Sequence, residues 1–69
     1  MDGKKLARDW LSHTDKAFSA RTEKVILSHF DKADAIIALV RDHALEDDFD
    51  TVIIPQGYKS VRRFAAYYG

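Results

Sequence analysis

The sequence contains no cysteine and no asparagine, its one proline is Pro55, and its three glycines lie near the two ends of the chain. The absence of cysteine excludes disulfides and thiolate metal sites, and it fits a reducing compartment. Residues 4–54 contain neither glycine nor proline. Since the turns of small β proteins need Gly, Asn or Pro, this scarcity favours helices.

An excess of charge of either sign is also absent. Lys plus Arg and Asp plus Glu number 11 each, so the formal net charge is zero. The totals therefore carry no strong electrostatic signature for nucleic acid or an anionic membrane. No apolar run approaches the roughly 18–20 residues that cross a bilayer, and the N-terminal residues do not resemble a signal peptide. We expect a cytoplasmic protein with no membrane partner.

The chain is short, and this limits its stability. Residues 1–69 are expected to form a single small domain, with 46% hydrophobic and 32% charged residues in a globular balance. A domain of this size buries only about 60% of the surface that its unfolded chain exposes. Small domains commonly compensate with a staple or a second chain, so we expect a homodimer.

Two segments have the hydrophobic periodicity of amphipathic helices. The first runs from about Gly3 to His13, with Asp2 as its N-cap, and its end stays open because no residue after His13 compels a stop. The second runs from Lys32 to Glu46, with Asp31 as its N-cap. Residues 22–30 between them fit a helix, yet the apolar run at residues 25–27 also fits a strand over residues 24–28. Both interpretations of this segment stay open.

The C-terminal third predicts a strand and a helix. Acidic residues follow Glu46, and carboxylates oppose the dipole at a helix C-terminus, so the second helix is expected to end there. Thr51–Ile54 is rich in β-formers and predicts a short strand. If residues 22–30 are helical, the edge of this strand has no partner in the chain, so pairing with a second copy is a further reason to expect a homodimer. Ser60–Tyr68 predicts a last helix. The fold class is therefore mainly α, a hairpin-like helical core followed by one strand and one helix. The alternative is an α/β fold with a minimal βαβ unit.

Residue patterns for catalysis or metal binding are weak. No pair among His13, His29 and His43 has the i, i+4 spacing of a helical metal site. No serine lies in a glycine-flanked elbow, and no glycine-rich loop is present to hold a phosphate. A chain this short seldom encloses a catalytic cavity. We therefore expect a protein that is not an enzyme and that has no cofactor and no metal.

Aromatic and arginine residues are the main functional signal. Tyr, Trp and Arg are enriched at the energetically dominant positions of protein interfaces. The adjacent tyrosines near the C-terminus cannot both face one core if they are helical. The sequence predicts a protein-binding module, a small regulator or inhibitor of another protein, of a kind that phages and mobile elements often encode. Its candidate partner-binding residues are Trp10, Tyr58, Arg62, Arg63, Tyr67 and Tyr68.

A second hypothesis is a small DNA- or RNA-binding regulator. Lys59, Arg62 and Arg63 are interleaved with aromatic residues, and such a segment offers cations to phosphates and rings to bases. The two hypotheses differ in their response to salt, because phosphate contacts release counterions and weaken steeply as salt rises.

Overall fold

The structure, a computed structural model, describes residues 1–63; residues 64–69 lie outside the described part of the chain. Three helices follow one another: α1 (Gly3–Ser19), α2 (Glu23–Asp42) and α3 (Glu46–Ile53). A 3₁₀ turn (Ile54–Gln56) comes next, and residues 61–63 are helical again. The described chain is a small compact helical structure without strands, so the mainly α prediction is confirmed.

Helix α1 begins where the sequence predicts and ends later. The Asp2 side chain accepts a hydrogen bond from the Lys4 backbone nitrogen at 2.9 Å, as an N-cap does. The sequence left the end of this helix open after His13, and α1 continues to Ser19. Buried positions continue at Thr14 and Ala17, so the same apolar stripe lengthens the helix.

Residues 23–30 are helical, which decides between the helix and the strand that the sequence left open for this segment. Thr22 is the N-cap of α2, and its hydroxyl accepts from the Val25 nitrogen at 3.4 Å. Within the run at residues 25–27, Val25 and Leu27 are exposed and Ile26 is half-buried, which is the pattern of a helix face and not of a buried strand. The predicted N-cap at Asp31 is wrong, since this residue lies inside the continuous helix α2.

A left-handed residue ends α2 before the acidic segment. Ala44 has φ 53°, and its nitrogen donates to the Arg41 carbonyl at 3.2 Å. The Leu45 nitrogen donates to the Val40 carbonyl at 2.9 Å. This pair of hydrogen bonds is a Schellman motif, which usually has glycine at the left-handed position. The predicted extension of the helix to Glu46 is therefore wrong.

The predicted strand at Thr51–Ile54 is also wrong. Its first three residues end α3, and Ile54 begins the 3₁₀ turn. The acids that were expected to end a helix instead begin one: Glu46, Asp47 and Asp48 occupy the first turn of α3, where carboxylates stabilise the helix dipole. The βαβ alternative is excluded for the described residues. Without a strand there, the pairing of an open strand edge gives no reason to expect a homodimer.

The core lies between α1, α2 and α3. Small residues on α1 and α2 let these two helices approach closely, and α3 adds two fully buried side chains, Phe49 and Ile53. Val61, beyond the turn, is also fully buried and closes the core from the C-terminal side. The hydrophobic cluster consists of Ala7, Trp10, Ala33, Ile37, Val40, Phe49, Ile53 and Val61.

Candidate interaction surface

Trp10 joins the core to the surface. Its side chain is 9% exposed, and its ring meets that of Phe49 edge to face, with centroids 5.6 Å apart. On its other side the ring of Tyr58 lies edge to face at 5.0 Å. Two of the sequence-predicted partner-binding residues, Trp10 and Tyr58, are thus in direct contact. Since Trp10 is largely buried, its first contribution is to packing.

An apolar groove of about 230 Å³ starts at these two rings and runs along the junction of α1 and α2. Helix α1 lines it with side chains at successive turns, and α2 lines the opposite wall. Helix α3 packs beside Trp10 through Phe49, and within residues 1–63 it contributes no side chain to the lining of the groove. We call this surface the aromatic groove; its described lining residues are Trp10, Thr14, Phe18, Phe30, Ala33, Asp34, Ile37 and Tyr58.

Phe18 is the most exposed large side chain of the aromatic groove, at 74%. Its ring touches that of Phe30 edge to face, with centroids 5.9 Å apart. Sequence reasoning missed Phe18 as a surface residue because it lies beyond the predicted end of the first helix. The available signal was its i+8 spacing from Trp10, which places both on one face of a longer helix. An exposed phenylalanine beside an apolar hollow is a feature of binding surfaces.

Asp34 supplies the charge of this surface. It is exposed, and among the described residues it is the one ionisable side chain that lines the groove besides the tyrosine at its end. An acid at the rim of an apolar groove attracts a cation on whatever segment occupies the groove. Because Asp34 lies in the middle of α2, its carboxylate does not interact with the dipole of a helix N-terminus.

Arg62 is held by carboxylates of α3. Its Nη2 lies 3.0 Å from Asp47 Oδ1, and its Nη1 lies 3.8 Å from Asp50 Oδ2. The hydrogen bond and the charge of Asp47 raise the pKa of the Arg62 guanidinium. Arg63 and Lys59 are exposed. Arg62, which was predicted to bind a partner or a phosphate, therefore lies beside carboxylates of α3, and these lower the positive potential around it.

The remaining candidate residues, Tyr67 and Tyr68, lie outside the described residues. The predicted C-terminal helix over Ser60–Tyr68 is described only as far as Arg63.

A second hollow, of about 260 Å³, lies on the other side of Tyr58. Its described lining includes Ser12 and Asp15 of α1 but no histidine. Nowhere in residues 1–63 do three or more His, Asp or Glu side chains gather as a metal site would require. Both hollows are smaller than the roughly 300 Å³ at which small-molecule pockets begin. Volumes of this size suit an inserted side chain better than a whole substrate. The aromatic groove is the stronger candidate for a functional surface, because its lining is mainly apolar and includes the exposed Phe18.

Comparison of the chain with protein-family models, curated proteins and solved structures gives no match. Within residues 1–63, no helix has both the length and the apolar character needed to span a bilayer.

Proposed function

We propose that this protein is a non-enzymatic interaction module, a small regulator or inhibitor that binds another protein through the aromatic groove. The observation that carries the proposal is the exposure of Phe18 at 74% beside an apolar hollow whose floor contains Trp10 and Ile37. An amphipathic helix commonly binds in such a hollow by inserting apolar side chains from one face.

The proposed occupant is an amphipathic segment of the partner with one large apolar side chain and a Lys or Arg about one turn away. The apolar side chain would enter between Phe18 and Tyr58, where rings and aliphatic groups line the groove. The cation would lie opposite Asp34, the exposed carboxylate of the same surface. Because a rim charge mainly sets orientation and association rate, the apolar anchor supplies most of the affinity.

The nucleic-acid hypothesis receives less support. Its central cation, Arg62, is 3.0 Å from Asp47, so a phosphate there would have to displace or neutralise a carboxylate. Glu46 and Asp50 also act on the Arg62 guanidinium. The zero net charge of the chain adds no compensating attraction. We therefore place the partner among proteins and keep nucleic acid as an outcome of the test.

Selection from a displayed library of random peptides tests the proposal. The expected peptides combine an aromatic or leucine anchor with a Lys or Arg three or four positions away. The affinity of one labelled peptide is then measured by fluorescence anisotropy. Phe18→Ala should weaken it about tenfold or more, since a buried aromatic anchor contributes roughly 2 kcal/mol. Leu27→Ala is the matched control, because Leu27 is 54% exposed on α2 and does not line the groove.

Asp34→Asn tests the charge. This variant should bind a peptide that carries the Lys or Arg more weakly, and that binding should depend less on salt. The affinity for a peptide without the cation should not change. If Phe18→Ala and Leu27→Ala lose the same amount of affinity for the peptide, the proposal is overturned. A labelled DNA or RNA duplex bound more tightly than any peptide would favour the rival. A concentration-dependent dimer that Phe18→Ala dissociates would instead assign the groove to a second copy of this chain.

A further inference from the structure

Two histidines meet across the junction of α1 and α2. His13 Nδ1 and His29 Nδ1 are 3.2 Å apart, and both rings are half-buried. The ring centroids are 5.5 Å apart with the planes tilted by 32°. The two residues are separated by 16 positions in the sequence, so the contact exists only because the two helices pack side by side.

The contact depends on how many protons the pair carries. In a neutral pair, one ring donates its Nδ1–H and the other accepts with the lone pair of its Nδ1. One additional proton preserves this arrangement, because a doubly protonated ring still donates to a neutral one. A second additional proton makes both Nδ1 atoms donors, so the hydrogen bond is lost and two cations face each other. The second protonation is therefore the step that separates the rings.

The surroundings oppose that second proton. Partial burial lowers the pKa of His29, and nearby positive charges lower it further, in the order Lys32, His13 and Lys16. Lys16 and His13 belong to α1, and Lys32 belongs to α2. A pKa that is lower in the folded chain than in the unfolded one means that the unfolded chain binds the proton more readily. The His29 shift therefore does not reduce the stability of the folded state above about pH 6.5, and it lowers that stability as the pH falls below this value.

The pair adjoins the aromatic groove. His13 precedes Thr14, and His29 precedes Phe30, and both following residues line the groove. We propose that the His13–His29 contact is an acid-sensitive latch, which joins α1 to α2 beside the groove and releases that end of the hairpin when both rings are protonated. Release changes the spacing of Phe18 and Phe30 and so alters the groove at its open end.

The latch is tested without any partner, so its outcome is independent of the proposed function. The ring carbon–proton signals of the three histidines are followed by NMR as the pH is lowered from neutral. We expect His29 to titrate below about pH 6.5, the value of an unperturbed histidine. In the same samples, the fluorescence of the single tryptophan, Trp10, reports on the groove. Its emission should change together with the second protonation of the pair.

His29→Gln is the decisive variant. Glutamine can donate or accept a hydrogen bond towards His13 but does not titrate. This variant should lose less thermal stability between neutral and mildly acidic pH than the unmodified protein does, and its tryptophan emission should stay constant. His43→Gln is the control, since His43 is exposed at the end of α2, and it should retain the full acid-dependent loss.

Two results would overturn the latch: a His29 ring that titrates at or above 6.5, or an acid-dependent loss of stability that is equal in His29→Gln and the unmodified protein. If His29→Gln does not fold, His13→Gln removes the same pair from the other helix and is judged by the same criterion. The NMR titration of the unmodified protein decides the question by itself if neither variant folds.

Discussion

The Asp50 carboxylate, on α3, accepts a hydrogen bond from the backbone nitrogen of Val61 at 2.8 Å. Its other oxygen accepts one from the Ser60 hydroxyl at 2.6 Å. The Asp50 side chain is only 13% exposed, and Val61 is fully buried. A single side chain thus ties the segment that follows Tyr58 to α3 and holds Val61 in the core.

Replacing Asp50 with alanine should lower the free energy of unfolding by about 1–3 kcal/mol, because the Val61 nitrogen then lacks its acceptor. Urea denaturation measures the loss. Asp47→Ala is the control: Asp47 is 90% exposed and its pair with Arg62 lies at the surface, so the expected cost is below about 1 kcal/mol. If the two variants lose the same free energy of unfolding, Asp50 acts only through its charge and not through its hydrogen bond to Val61.

Ala44 is a position where the natural residue is not the best one. Its φ of 53° lies in the left-handed region, where a side chain costs an L-residue about 1–2 kcal/mol. Ala44→Gly removes this strain but increases the backbone entropy that the chain loses on folding. The net effect should raise the free energy of unfolding by about 0.5–1 kcal/mol. The melting temperature should rise by roughly 4–8 °C per kcal/mol in a domain of this size.

The matched control for this variant has the opposite sign. Ala38→Gly makes the same chemical change at an exposed interior position of α2 and should destabilise the protein by about 1 kcal/mol. A melting temperature that falls in both variants would mean that the left-handed conformation of Ala44 carries no strain.

The acidic segment explains why the C-terminal third was predicted poorly. Carboxylates near residue 46 mark a helix end by their dipole interaction, but the same residues mark the start of a new helix equally well. The choice depends on the chain reversal at Ala44, which the sequence does not signal because the usual glycine is missing. Once α3 begins there, Phe49 and Ile53 fall four residues apart on one buried face.

Hydrophobic periodicity in the sequence was sufficient to predict buried residues of α2, but it was not sufficient to predict the candidate interaction surface. The spacing of Ala33, Ile37, Val40 and Ala44 predicts one buried helix face; the structure buries the first three, whereas Ala44 is exposed beyond the end of α2. The His13–His29 pair and the groove between Phe18 and Phe30 depend on which turns of α1 and α2 lie side by side. No local pattern encodes that alignment, since it is set by the length of both helices and the connection between them.

Gly3 allows α1 to approach the start of α3. A Cβ atom at this position would lie 2.9 Å from the Cβ of Asp48 and 3.1 Å from that of Leu45. Helix propensity alone favours alanine over glycine by about 1 kcal/mol. The steric cost of the clash should exceed this gain in helix propensity, so Gly3→Ala is expected to destabilise the protein by about 1–3 kcal/mol.

Lys4→Ala is the control for this position, because Lys4 is exposed in the same helical turn. It should change the free energy of unfolding by no more than about 0.5 kcal/mol. Calorimetry of the three proteins gives the comparison. A Gly3→Ala variant that is more stable than the natural chain would show that α1 and α3 separate easily at this end.

Trp10 and Phe18 line the same groove but should respond differently to truncation. Trp10 is 9% exposed and packs on Phe49, so Trp10→Ala should cost about 3–5 kcal/mol. A chain of this length has roughly 3–10 kcal/mol of stability in total, so that loss brings it close to unfolding. Phe18 is 74% exposed, and Phe18→Ala should cost less than about 1 kcal/mol.

Circular dichroism during heating separates the two variants before any binding is measured. A peptide that fails to bind Trp10→Ala would report only that the protein has unfolded, whereas a peptide that fails to bind Phe18→Ala reports on the groove. If Phe18→Ala proves as unstable as Trp10→Ala, the Phe18–Phe30 contact belongs to the core and the surface assigned to partner binding is smaller than the aromatic groove.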